Sequence, residues 1–533
     1  MRIKYSYSKR YIAVFLLFSC LYILLMARLV WFGLQRKDAE DAAYAMTELT
    51  QERPDIFDRN GLLLARDIHS FSLFAQPRHV LNPEETAKLI KTVLPNIDLD
   101  LVTSRLRSKQ PFVWLERNLS LQQKSEIMAL GLPGLGFRTH ISRFYPNGAD
   151  AAYVVGYVDV DNKGLAGIEK YLDEQKLTSP HIRDLEKEKL KAVYLSIDIR
   201  GQAIIRSVLE RSLKTYNAQA AGAVILNAEN GEILAMDSVP SFMPDVPGQA
   251  LNADRLNRMS AGLYEMGSVI KIFTTAMALD SGKFTLDSMI DASHPLAAGR
   301  GQYIHDFHGK NRPLSLSEVF IYSSNIGSAK EALAVGVDQH KKFLDKLGLL
   351  TKLDTEIPEV ARPVFPKKWK AVNSMTISFG HGMMNTPLQT AVSAAALLNG
   401  GILRQPTFLR NSRAPLRSAR VLSPKTSQIM RNLFALNMKQ GSGRFANIQG
   451  YNIGGKTGTA EKVENGKYVK NQRFNSFIAA FPIEHPKYIV LTIIDNPQAI
   501  PGRIGSTAGY NAAPMAVEII NRCANFLGVR PNI

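Results

Sequence analysis

A long apolar segment near the start of the chain constrains its architecture more than any other feature of the sequence. Residues 11–27 carry no charged side chain, and the apolar character resumes after Arg28 and continues to Leu34. As a helix with a rise of about 1.5 Å per residue, residues 11–34 would extend roughly 36 Å, enough to cross a hydrocarbon core of about 30 Å. We therefore predict one transmembrane helix over residues 11–34, preceded by a cytoplasmic tail over residues 1–10.

The residues that precede this segment indicate its orientation. The first ten residues contain no acid but carry basic side chains at Arg2, Lys4, Lys9 and Arg10. Because basic flanks remain in the cytoplasm, everything after about residue 36 is expected outside. A cleaved signal peptide, with Ala43-Tyr44-Ala45 as its processing site, is the alternative, but the apolar segment is long for that role.

Charge and cysteine content narrow the classes of function. With only two cysteines, Cys20 and Cys523, the sequence excludes a disulfide scaffold, a Cys-rich zinc module and an iron–sulfur site. The net charge of +18 suits nucleic acid, an anionic membrane surface or an anionic polymer. Nucleic acid is the weakest of these partners, because the chain has no run of five or more Lys/Arg and no helix-turn-helix or RNP-like string. We expect no nucleic-acid partner.

Beyond the apolar segment we predict two domains. The first, here called the pedestal, is a mixed α/β region over residues 45–190. Within it Asn60-Gly61 predicts a turn, and residues 83–94 and 120–130 have the apolar spacing of helices. Asn82 and Pro83 are typical of a helix N-terminus.

The second predicted domain covers residues 191–533. Its predicted strands are 192–197, 221–226, 231–236, 476–481 and 488–494, and its predicted helices include 199–213 and 513–526. Two strands form a hairpin, a helix-rich middle follows, and the chain returns to strands before a closing helix. This order predicts an α+β domain with helices on both faces of an antiparallel sheet.

A serine and a lysine, Ser268 and Lys271, open a strongly apolar helix that Gly267 allows to begin tightly. Residues three apart share one helix face. A serine hydroxyl needs a base to become a nucleophile, and a lysine can be that base only if burial or a second cation disfavours its ammonium form. By itself the S-x-x-K pattern fits an ordinary helix-capping serine better than a nucleophile, and it recurs at Ser6 and Lys9.

A second pattern, S-x-N, occurs at Ser323 and Asn325. The Ser323 hydroxyl can relay a proton between Lys271 and a leaving amine, and the Asn325 carboxamide can hold a substrate amide. A turn or a helix cap is the alternative, since serine and asparagine favour both.

A third pattern, K-T-G, occurs at Lys456, Thr457 and Gly458 and is followed by Thr459. The glycines around it predict a strand edge that some other group approaches closely. Lys456 supplies the second cation that keeps Lys271 neutral and attracts a substrate carboxylate, and Thr457 can donate a hydrogen bond to that carboxylate. The backbone N–H groups of Ser268 and Thr459 together can form an oxyanion hole.

The same lysine and threonine also complete a phosphate-loop pattern over residues 450–457. That pattern requires a loop leading into a helix. The residues that follow are typical of a strand end and loop, no coupled Walker B strand is evident, and an outward-facing domain meets little nucleotide. We therefore disfavour phosphate binding.

In this order the three patterns resemble the signature of penicillin-interacting serine acyltransferases. Other strings resemble class B penicillin-binding proteins, and those of the second domain resemble their septal, FtsI-type branch. These strings are residues 53–61, 143–148, 164–169, 255–258, 379–382, 456–461 and 474–482. Two positions depart from the family pattern: Met266 replaces a usual proline and Pro54 replaces a frequent glycine, and neither removes a catalytic group.

The resemblance implies a penicillin-binding, transpeptidase-like fold on the pedestal and a D,D-transpeptidase activity without a cofactor. In this interpretation Ser268 attacks the penultimate D-alanine carbonyl of a peptidoglycan stem peptide, with Lys271 as the base. Which of the two lysines is the base stays open, as for this whole class. D-alanine leaves, protonated through Ser323 and Lys456 or Lys271, and an amine of a neighbouring stem takes the acyl group. The residues implied in substrate binding are Thr457, Gly458 and Thr459.

The same resemblance implies where and with what the protein works. The catalytic domain would lie in the periplasm of a bacterium, anchored in the cytoplasmic membrane and acting at the septum during cell division. Its partners would be the stem peptides of lipid-linked precursor products, β-lactams that trap Ser268, and division-complex proteins including a polytopic glycosyltransferase.

Four other interpretations compete with this one. A β-lactamase shares the three patterns but needs a deacylating glutamate in an E-x-x-L-N loop, which residues 357–365 lack. A β-lactam sensor or a structural scaffold would keep the fold without turnover. The complete catalytic set argues against the scaffold and leaves the sensor open. His305 and His308 have a spacing that a metal can use, but no third ligand accompanies them, so no metal is expected.

Overall fold

The computed structural model describes residues 7–45, 52–178, 190–299, 301–410, 417–446, 448, 450–464, 467–500, 502 and 506–531. Residues 1–6 of the predicted tail and residues 179–189, which precede the predicted domain boundary, lie outside the described residues. Contacts between Cα atoms divide the chain into two compact units. Unit 1 comprises residues 1–52, 69–142 and 179–188, and unit 2 comprises residues 53–68, 143–178 and 189–533.

The helices and strands are numbered in chain order. The α-helices are α1 (Tyr7–Ala45), α2 (Pro83–Val93), α3 (Leu99–Leu106), α4 (Leu121–Ala129), α5 (Ala152–Val155), α6 (Gly167–Glu174), α7 (Ile199–Thr215), α8 (Lys271–Asp280), α9 (Leu316–Tyr322), α10 (Asn325–Val335), α11 (Val337–Lys346), α12 (Ala371–Ser378), α13 (Pro387–Leu398), α14 (Pro424–Gln440) and α15 (Ala512–Cys523). The β-strands are β1 (Ile56–Phe57), β2 (Leu63–Ala75), β3 (Val113–Leu119), β4 (Leu135–Phe144), β5 (Val193–Tyr194), β6 (Ala220–Asn227), β7 (Ile233–Val239), β8 (Met289–Asp291), β9 (Leu296–Gly299), β10 (Gln302–Ile304), β11 (Pro313–Ser315), β12 (Ile402–Arg404), β13 (Ser418–Arg420), β14 (Gly454–Glu464), β15 (Lys467–Phe481) and β16 (Tyr488–Asp495).

Helix α1 carries the predicted apolar span. Its segment Tyr11–Trp31 has a mean hydropathy of 2.4, and none of that segment's most apolar window is buried. Within the described part of the chain it is the one helix long and apolar enough to cross a membrane. The prediction of a single N-terminal apolar helix is therefore confirmed, and the helix fits a single-pass membrane anchor.

Apart from α1, unit 1 packs helices α2, α3 and α4 with strand β3 around a small apolar core. The core includes Leu73, Ala87, Ile90, Val102, Leu106, Leu115 and Ile127. Both predicted helix starts are confirmed. The Asn82 side chain accepts a hydrogen bond from the Glu85 N–H at the start of α2, and Ser120 forms a capping box with Gln123 at the start of α4.

Unit 2 is built on a five-stranded sheet in the order β14-β15-β16-β6-β7, and every neighbouring pair is antiparallel. Side chains alternate between its two faces, as the pleat requires. In β6, for example, Ala223 and Ile225 pack on the face covered by α7 and α15, whereas Val224 and Leu226 join the core that contains α8 and α13. Because helices cover both faces, the strands show no polar alternation, and the predicted α+β architecture is confirmed.

A buried cluster of charges joins four segments of unit 2 that are distant in sequence. Glu169 has a fully buried side chain and accepts hydrogen bonds from Arg53 Nε and Arg143 Nε, both at 2.7 Å. Arg53 also contacts Asp173 at 2.8 Å, and Arg143 contacts Asp67 at 3.0 Å. Each buried charge thus has partners of the opposite sign, which is the condition for burying it at all.

Candidate active site

Ser268 lies in a single 3₁₀ turn, Gly267–Val269, that leads into helix α8. The φ angle of Gly267 is 55°, a left-handed value that glycine adopts without strain. A Cβ atom at Gly267 would lie 2.8 Å from the Thr459 carbonyl oxygen, so a larger residue would push strand β14 away. The tight entry predicted for the helix is confirmed, but the serine precedes the α-helix instead of lying in its first turn.

The Lys271 amine is the centre of the hydrogen-bond network around Ser268. Lys271 Nζ lies 3.1 Å from Ser268 Oγ and 2.7 Å from Asn325 Oδ1. It also lies 3.1 Å from Ser323 Oγ and donates to the Ser323 carbonyl oxygen. The amine therefore touches the hydroxyl that it is predicted to deprotonate and both polar residues of the S-x-N pattern.

The surroundings of Lys271 favour its neutral form. Only 1% of the residue is exposed. Burial, and secondly the nearby charge of Lys456, hold the pKa of Lys271 well below its ordinary value, while Asp306 and Glu331 act in the opposite direction. A lysine without its proton can accept one from a serine, so this site meets the main chemical requirement for a lysine base.

The S-x-N residues lie at the junction of helices α9 and α10. Ser323 ends α9 with a φ angle of 59°, and Asn325 begins α10. Such left-handed backbone is uncommon for a residue with a Cβ atom and is found more often at functional sites. The conformation presents both the hydroxyl and the carbonyl of Ser323 to Lys271.

A segment that the sequence analysis did not assign to the site fixes this junction. The Asp306 carboxylate accepts hydrogen bonds from Ser324 Oγ at 2.7 Å and from the Ile326 N–H at 2.9 Å. The Asn325 amide nitrogen donates to the His305 carbonyl at 2.8 Å, which leaves its oxygen for Lys271. His305 and Asp306 lie about twenty residues before the pattern, and no local signal in the sequence pairs them with it.

Lys456 approaches the same hydroxyl from strand β14. Its side chain is fully buried, and its Nζ lies 3.0 Å from Ser323 Oγ and 3.2 Å from the Thr457 carbonyl. Burial lowers the pKa of Lys456 to about 7. Ser323 Oγ thus lies between two amines, at a position from which it can pass a proton from one to the other.

Strand β14 forms an edge of the sheet and is paired on one side with β15. Thr457 and Thr459 are partly exposed on it, and the Thr459 hydroxyl accepts a hydrogen bond from the Ala508 N–H at 3.2 Å. A Cβ atom at Gly458 would overlap the Met266 carbonyl oxygen. The predicted strand edge with a closely approached glycine is confirmed.

The position of β14 also decides the phosphate-loop alternative. The strand begins at Gly454 and continues through Lys456 and Thr457 to Glu464. A phosphate loop would place a helix directly after this lysine. The pattern over residues 450–457 therefore does not have the geometry that phosphate binding needs.

Gly380 supports the serine turn from behind, although nothing in its local sequence shows this contact. Its φ angle is 99°, and a Cβ atom there would overlap the carbonyl oxygen of Gly267.

Met266, the departure from the family's proline, is buried and has a φ angle of −76°. Because proline fixes φ near about −65°, methionine leaves this turn in a conformation that proline would also adopt.

Two alternatives from the sequence can be compared with the geometry. In the region where a β-lactamase would carry its deacylating loop, the Glu359 carboxylate accepts a hydrogen bond from the Gly167 N–H at 3.2 Å.

Within the described residues, no group of three His, Cys, Asp or Glu side chains comes together in the manner that a metal ion needs. His305 instead contributes its carbonyl oxygen to Asn325.

Comparison with protein families agrees with this geometry. Residues 221–521 match the penicillin binding protein transpeptidase domain, and residues 48–251 match the penicillin-binding protein dimerisation domain. The chain belongs to the penicillin-binding proteins. The transpeptidase match contains all three catalytic patterns, and the dimerisation match covers the region predicted as the pedestal.

Relatives of this penicillin-binding protein extend over nearly its whole length. It is 37% identical to the probable peptidoglycan D,D-transpeptidase FtsI of Caulobacter vibrioides, over 94% of this chain and 85% of the relative. It is 30% identical to the probable peptidoglycan D,D-transpeptidase PenA of Neisseria gonorrhoeae, over 97% of this chain and 92% of the relative. With the peptidoglycan D,D-transpeptidase FtsI of Escherichia coli it shares 28% identity over 95% of this chain and 90% of the relative. The predicted membership of the class B, FtsI-type branch is confirmed.

Proposed function

We propose that this penicillin-binding protein is a membrane-anchored peptidoglycan D,D-transpeptidase that works through an acyl-enzyme on Ser268. The single observation that carries the proposal is the contact of the buried Lys271 amine, whose pKa is held well below its ordinary value, with Ser268 Oγ at 3.1 Å. The names of the FtsI and PenA relatives support the peptidoglycan substrate. β-Lactams, which mimic the acyl donor, would acylate the same serine.

Acylation begins with the transfer of the serine proton. Lys271 Nζ takes the proton of Ser268 Oγ while Oγ bonds to the penultimate D-alanine carbonyl carbon. Negative charge develops on the carbonyl oxygen, and we expect the N–H groups of Ser268 and Thr459 to donate hydrogen bonds to it. A Cβ atom at Gly267 would lie 3.2 Å from the Thr459 nitrogen, so the turn and the strand are close enough to share one oxyanion.

Departure of D-alanine needs a proton on its nitrogen as the C–N bond breaks. Ser323 Oγ contacts both amines, Lys271 at 3.1 Å and Lys456 at 3.0 Å. It can donate its own proton to the leaving nitrogen and recover one from either lysine. The geometry is equally suitable for both lysines, so the proton donor behind Ser323 stays open.

The second half-reaction consumes the acyl-enzyme. An amine of a neighbouring stem peptide attacks the ester carbonyl, loses its proton to the same base, and the bond to Ser268 Oγ breaks with return of a proton to that oxygen. A cross-linked peptide and the free enzyme result. Glu359 accepts a hydrogen bond from the Gly167 N–H, and this contact supports a structural role for the acid of that region in preference to a deacylating one.

The substrate carboxylate is assigned to strand β14. Lys456 is near its pKa at neutral pH and supplies positive charge, and Thr457 supplies a hydroxyl at the open strand edge. Gly458 and Thr459 continue this edge, along which an extended peptide can pair as an added strand.

The cellular setting is part of the proposal. The basic residues before the apolar segment support a cytoplasmic N-terminus and a periplasmic catalytic domain, and the FtsI likeness supports septal duty beside division proteins and a polytopic glycosyltransferase. A fluorescent fusion in growing cells tests the location, and signal along the lateral wall in place of midcell would contradict septal duty.

Labelling with a fluorescent penicillin tests acylation. The full-length protein in detergent should form a stable adduct, and Ser268→Ala should form none. Ser281→Ala, at the exposed end of α8, is the matched control and should label like the wild type. An adduct that persists in Ser268→Ala would refute the role of this serine.

Turnover needs a separate assay. Incubation with a stem-peptide or thioester donor and a D-amino acid acceptor should yield the exchanged product. Labelling without any transfer would favour the sensor alternative over the transpeptidase.

A further inference from the structure

Glu331 is a fully buried carboxyl group that the reaction scheme above does not use. It lies on helix α10, six residues after Asn325, and none of its surface is exposed. Thr275 Oγ1 donates to Glu331 Oε2 at 3.2 Å. Its second oxygen, Oε1, has no hydrogen-bond partner among the described residues.

The position of Glu331 connects it to the base. Thr275 lies four residues after Lys271 on α8, so the two side chains project from the same helix face, one turn apart. Glu331 approaches that face from α10, and it interacts electrostatically with Lys271 in both directions: each group favours the charged form of the other. Lys271 therefore has a titratable neighbour inside the protein as well as Lys456 at its outer side.

Burial decides the resting state of this acid. It raises the pKa of Glu331 to about 8, against the opposing effects of Thr275 and Lys271. An ionised carboxylate with one unpartnered oxygen and no contact to solvent is strongly disfavoured. Burial therefore favours a neutral Glu331 at neutral pH, beside a Lys271 whose own pKa burial and Lys456 hold well below its ordinary value.

The other elements packed against α10 bring few competing charges. Helix α12, Ala371–Ser378, has no titratable side chain. Helix α11 brings the buried His340, which burial keeps neutral by lowering its pKa to about 4. On α9 Glu318 pairs with Arg312, and on β8 Asp291 pairs with Lys330 of α10. The groups that face Lys271 are Glu331, Lys456, Asp306 and His381.

We propose that Glu331 is a positioning residue that sets the protonation state of the base: as a neutral acid it leaves Lys271 free to accept the serine proton, and as a carboxylate it holds Lys271 as an ammonium. The kinetic test of this inference rests on the proposed function, because it measures acylation. The infrared test does not, because it reports the protonation of Glu331 directly. No atom of Glu331 contacts substrate in this scheme. It acts through Lys271, to which Asp306 and Lys456 are coupled as well.

The pH dependence of acylation gives the test. In the wild type, Glu331 ionises as the pH rises through about 8, and its carboxylate then favours the charged Lys271. In Glu331→Gln the side chain stays neutral, so Lys271 loses its proton at a lower pH. In a plot of acylation rate against pH, we expect the ascending limb to move to lower pH in this variant. The rate ratio of this variant to the wild type should be close to 1 in acid and rise toward about tenfold near pH 8, the factor that one unit of pKa difference supplies.

Two variants accompany this measurement. Thr275→Val removes the hydroxyl that stabilises the Glu331 carboxylate, so it should move the limb in the same direction by a smaller amount. It also carries the test if the first variant fails to fold. Glu210→Gln, an exposed glutamate on α7, is the matched control for the loss of one charge and should leave the profile in place.

Infrared absorption provides a readout that is independent of activity. The carbonyl stretch of a protonated, buried carboxylic acid should appear at pH 7 in the spectrum of the wild type minus that of Glu331→Gln, and it should fade from this difference above pH 8. The subtraction removes the contribution of other buried acids such as Asp237, whose pKa burial also raises to about 8. Superimposable pH profiles for variant and wild type, or no such band at pH 7, would overturn the inference. Failure of the wild type to form any penicillin adduct would instead refute the proposed function, and the infrared band would still report on Glu331.

Discussion

At the scale of single residues, the proposed mechanism depends on the pKa of one amine. Lys271 Nζ has four oxygen partners, from Ser268, Ser323 and Asn325, in a buried position. Four acceptors would ordinarily favour an ammonium. Burial and the second cation, Lys456, act in the opposite direction and hold the pKa of Lys271 well below its ordinary value. The suitability of Lys271 as the proposed base thus comes from its surroundings and not from the identity of lysine alone.

Replacing this lysine by methionine should remove the proposed base but keep an unbranched side chain in its buried position. For Lys271→Met we expect the rate of penicillin acylation to fall by about 10²–10⁴-fold, the usual contribution of a general base. Stopped-flow or gel-based labelling rates measure the effect. Lys283→Met, an exposed lysine just after α8, is the control and should retain the wild-type rate. A loss of less than about tenfold would assign the base to another group.

Lys456 should make ligand binding depend on pH. Burial lowers its pKa to about 7, so it is charged below that pH and neutral above it. Its attraction for a ligand carboxylate is therefore present in acid and lost as the pH rises. The affinity of the reversible penicillin complex that precedes acylation should fall between about pH 6 and about pH 8.

The control for this prediction is a change in the ligand. A penicillin methyl ester lacks the carboxylate, and its affinity should stay constant over the same range. Parallel weakening of the acid and the ester would show that the charge of Lys456 does not bind the carboxylate.

At the scale of elements, the serine turn is held between two backbones. Strand β14 lies against one side of Gly267 and the Gly380 segment lies against the other, each too close for an additional Cβ atom. Close packing of backbone on backbone leaves little freedom for Ser268, so the nucleophile is fixed before substrate arrives.

A methyl group at Gly380 should displace that turn. Gly380→Ala places a Cβ atom against the Gly267 carbonyl, whereas Gly382→Ala meets its nearest neighbour, Thr376 Oγ1, at 3.5 Å. Both glycines have positive φ, 99° and 87°, so the backbone strain is matched. We expect the first variant to acylate about 10²-fold more slowly, the cost of roughly 1 Å of misplacement, and the second to change little. Equal rates in the two variants would contradict this role of Gly380.

At the scale of the whole molecule, the charge cluster around Glu169 belongs to unit 2 although its residues come from the region predicted as the pedestal. Arg53, Asp67, Arg143 and Asp173 surround it. These residues lie in three of the strings that carry the family resemblance or close beside them. Their contacts explain structurally why these residue types occur in those strings, because the ion pairs hold distant segments of unit 2 together. The predicted boundary at residue 190 stays a prediction.

Breaking this cluster should destabilise the protein without touching the active site. Glu169→Gln leaves two buried guanidinium groups with one carboxylate partner fewer, and breaking a buried pair costs about 3–5 kcal/mol. Unfolding of the detergent-solubilised protein in guanidinium chloride measures the loss in the free energy of unfolding. The control is Glu84→Gln, which breaks an exposed pair with Arg107 and should have little effect. An unchanged unfolding midpoint for Glu169→Gln would show that the cluster contributes no net stability.

Much of the fold could be predicted because its signals are local. The cap at Asn82, the hairpin of β6 and β7 and the apolar α1 are confirmed within a few residues. Predictions failed where pairing decided the outcome. The strand expected over residues 192–197 has only two residues, Val193–Tyr194, because its ladder with β1 is that short. Strand β15 begins at Lys467, well before the predicted 476, because its early polar residues pair with the end of β14.

The sequence by itself predicted many of the elements, the apolar N-terminal helix and the three short patterns, since periodicity, capping and spacing depend on residues that are near one another in the chain. Only the tertiary structure decided that the pKa of Lys271 is lowered, that Asp306 fixes the S-x-N junction, that Gly380 packs against the serine turn and that Glu331 interacts with Lys271. Those properties depend on burial and on charges from segments tens of residues away. Electrostatic environment is a property of the folded arrangement, and no local pattern encodes it.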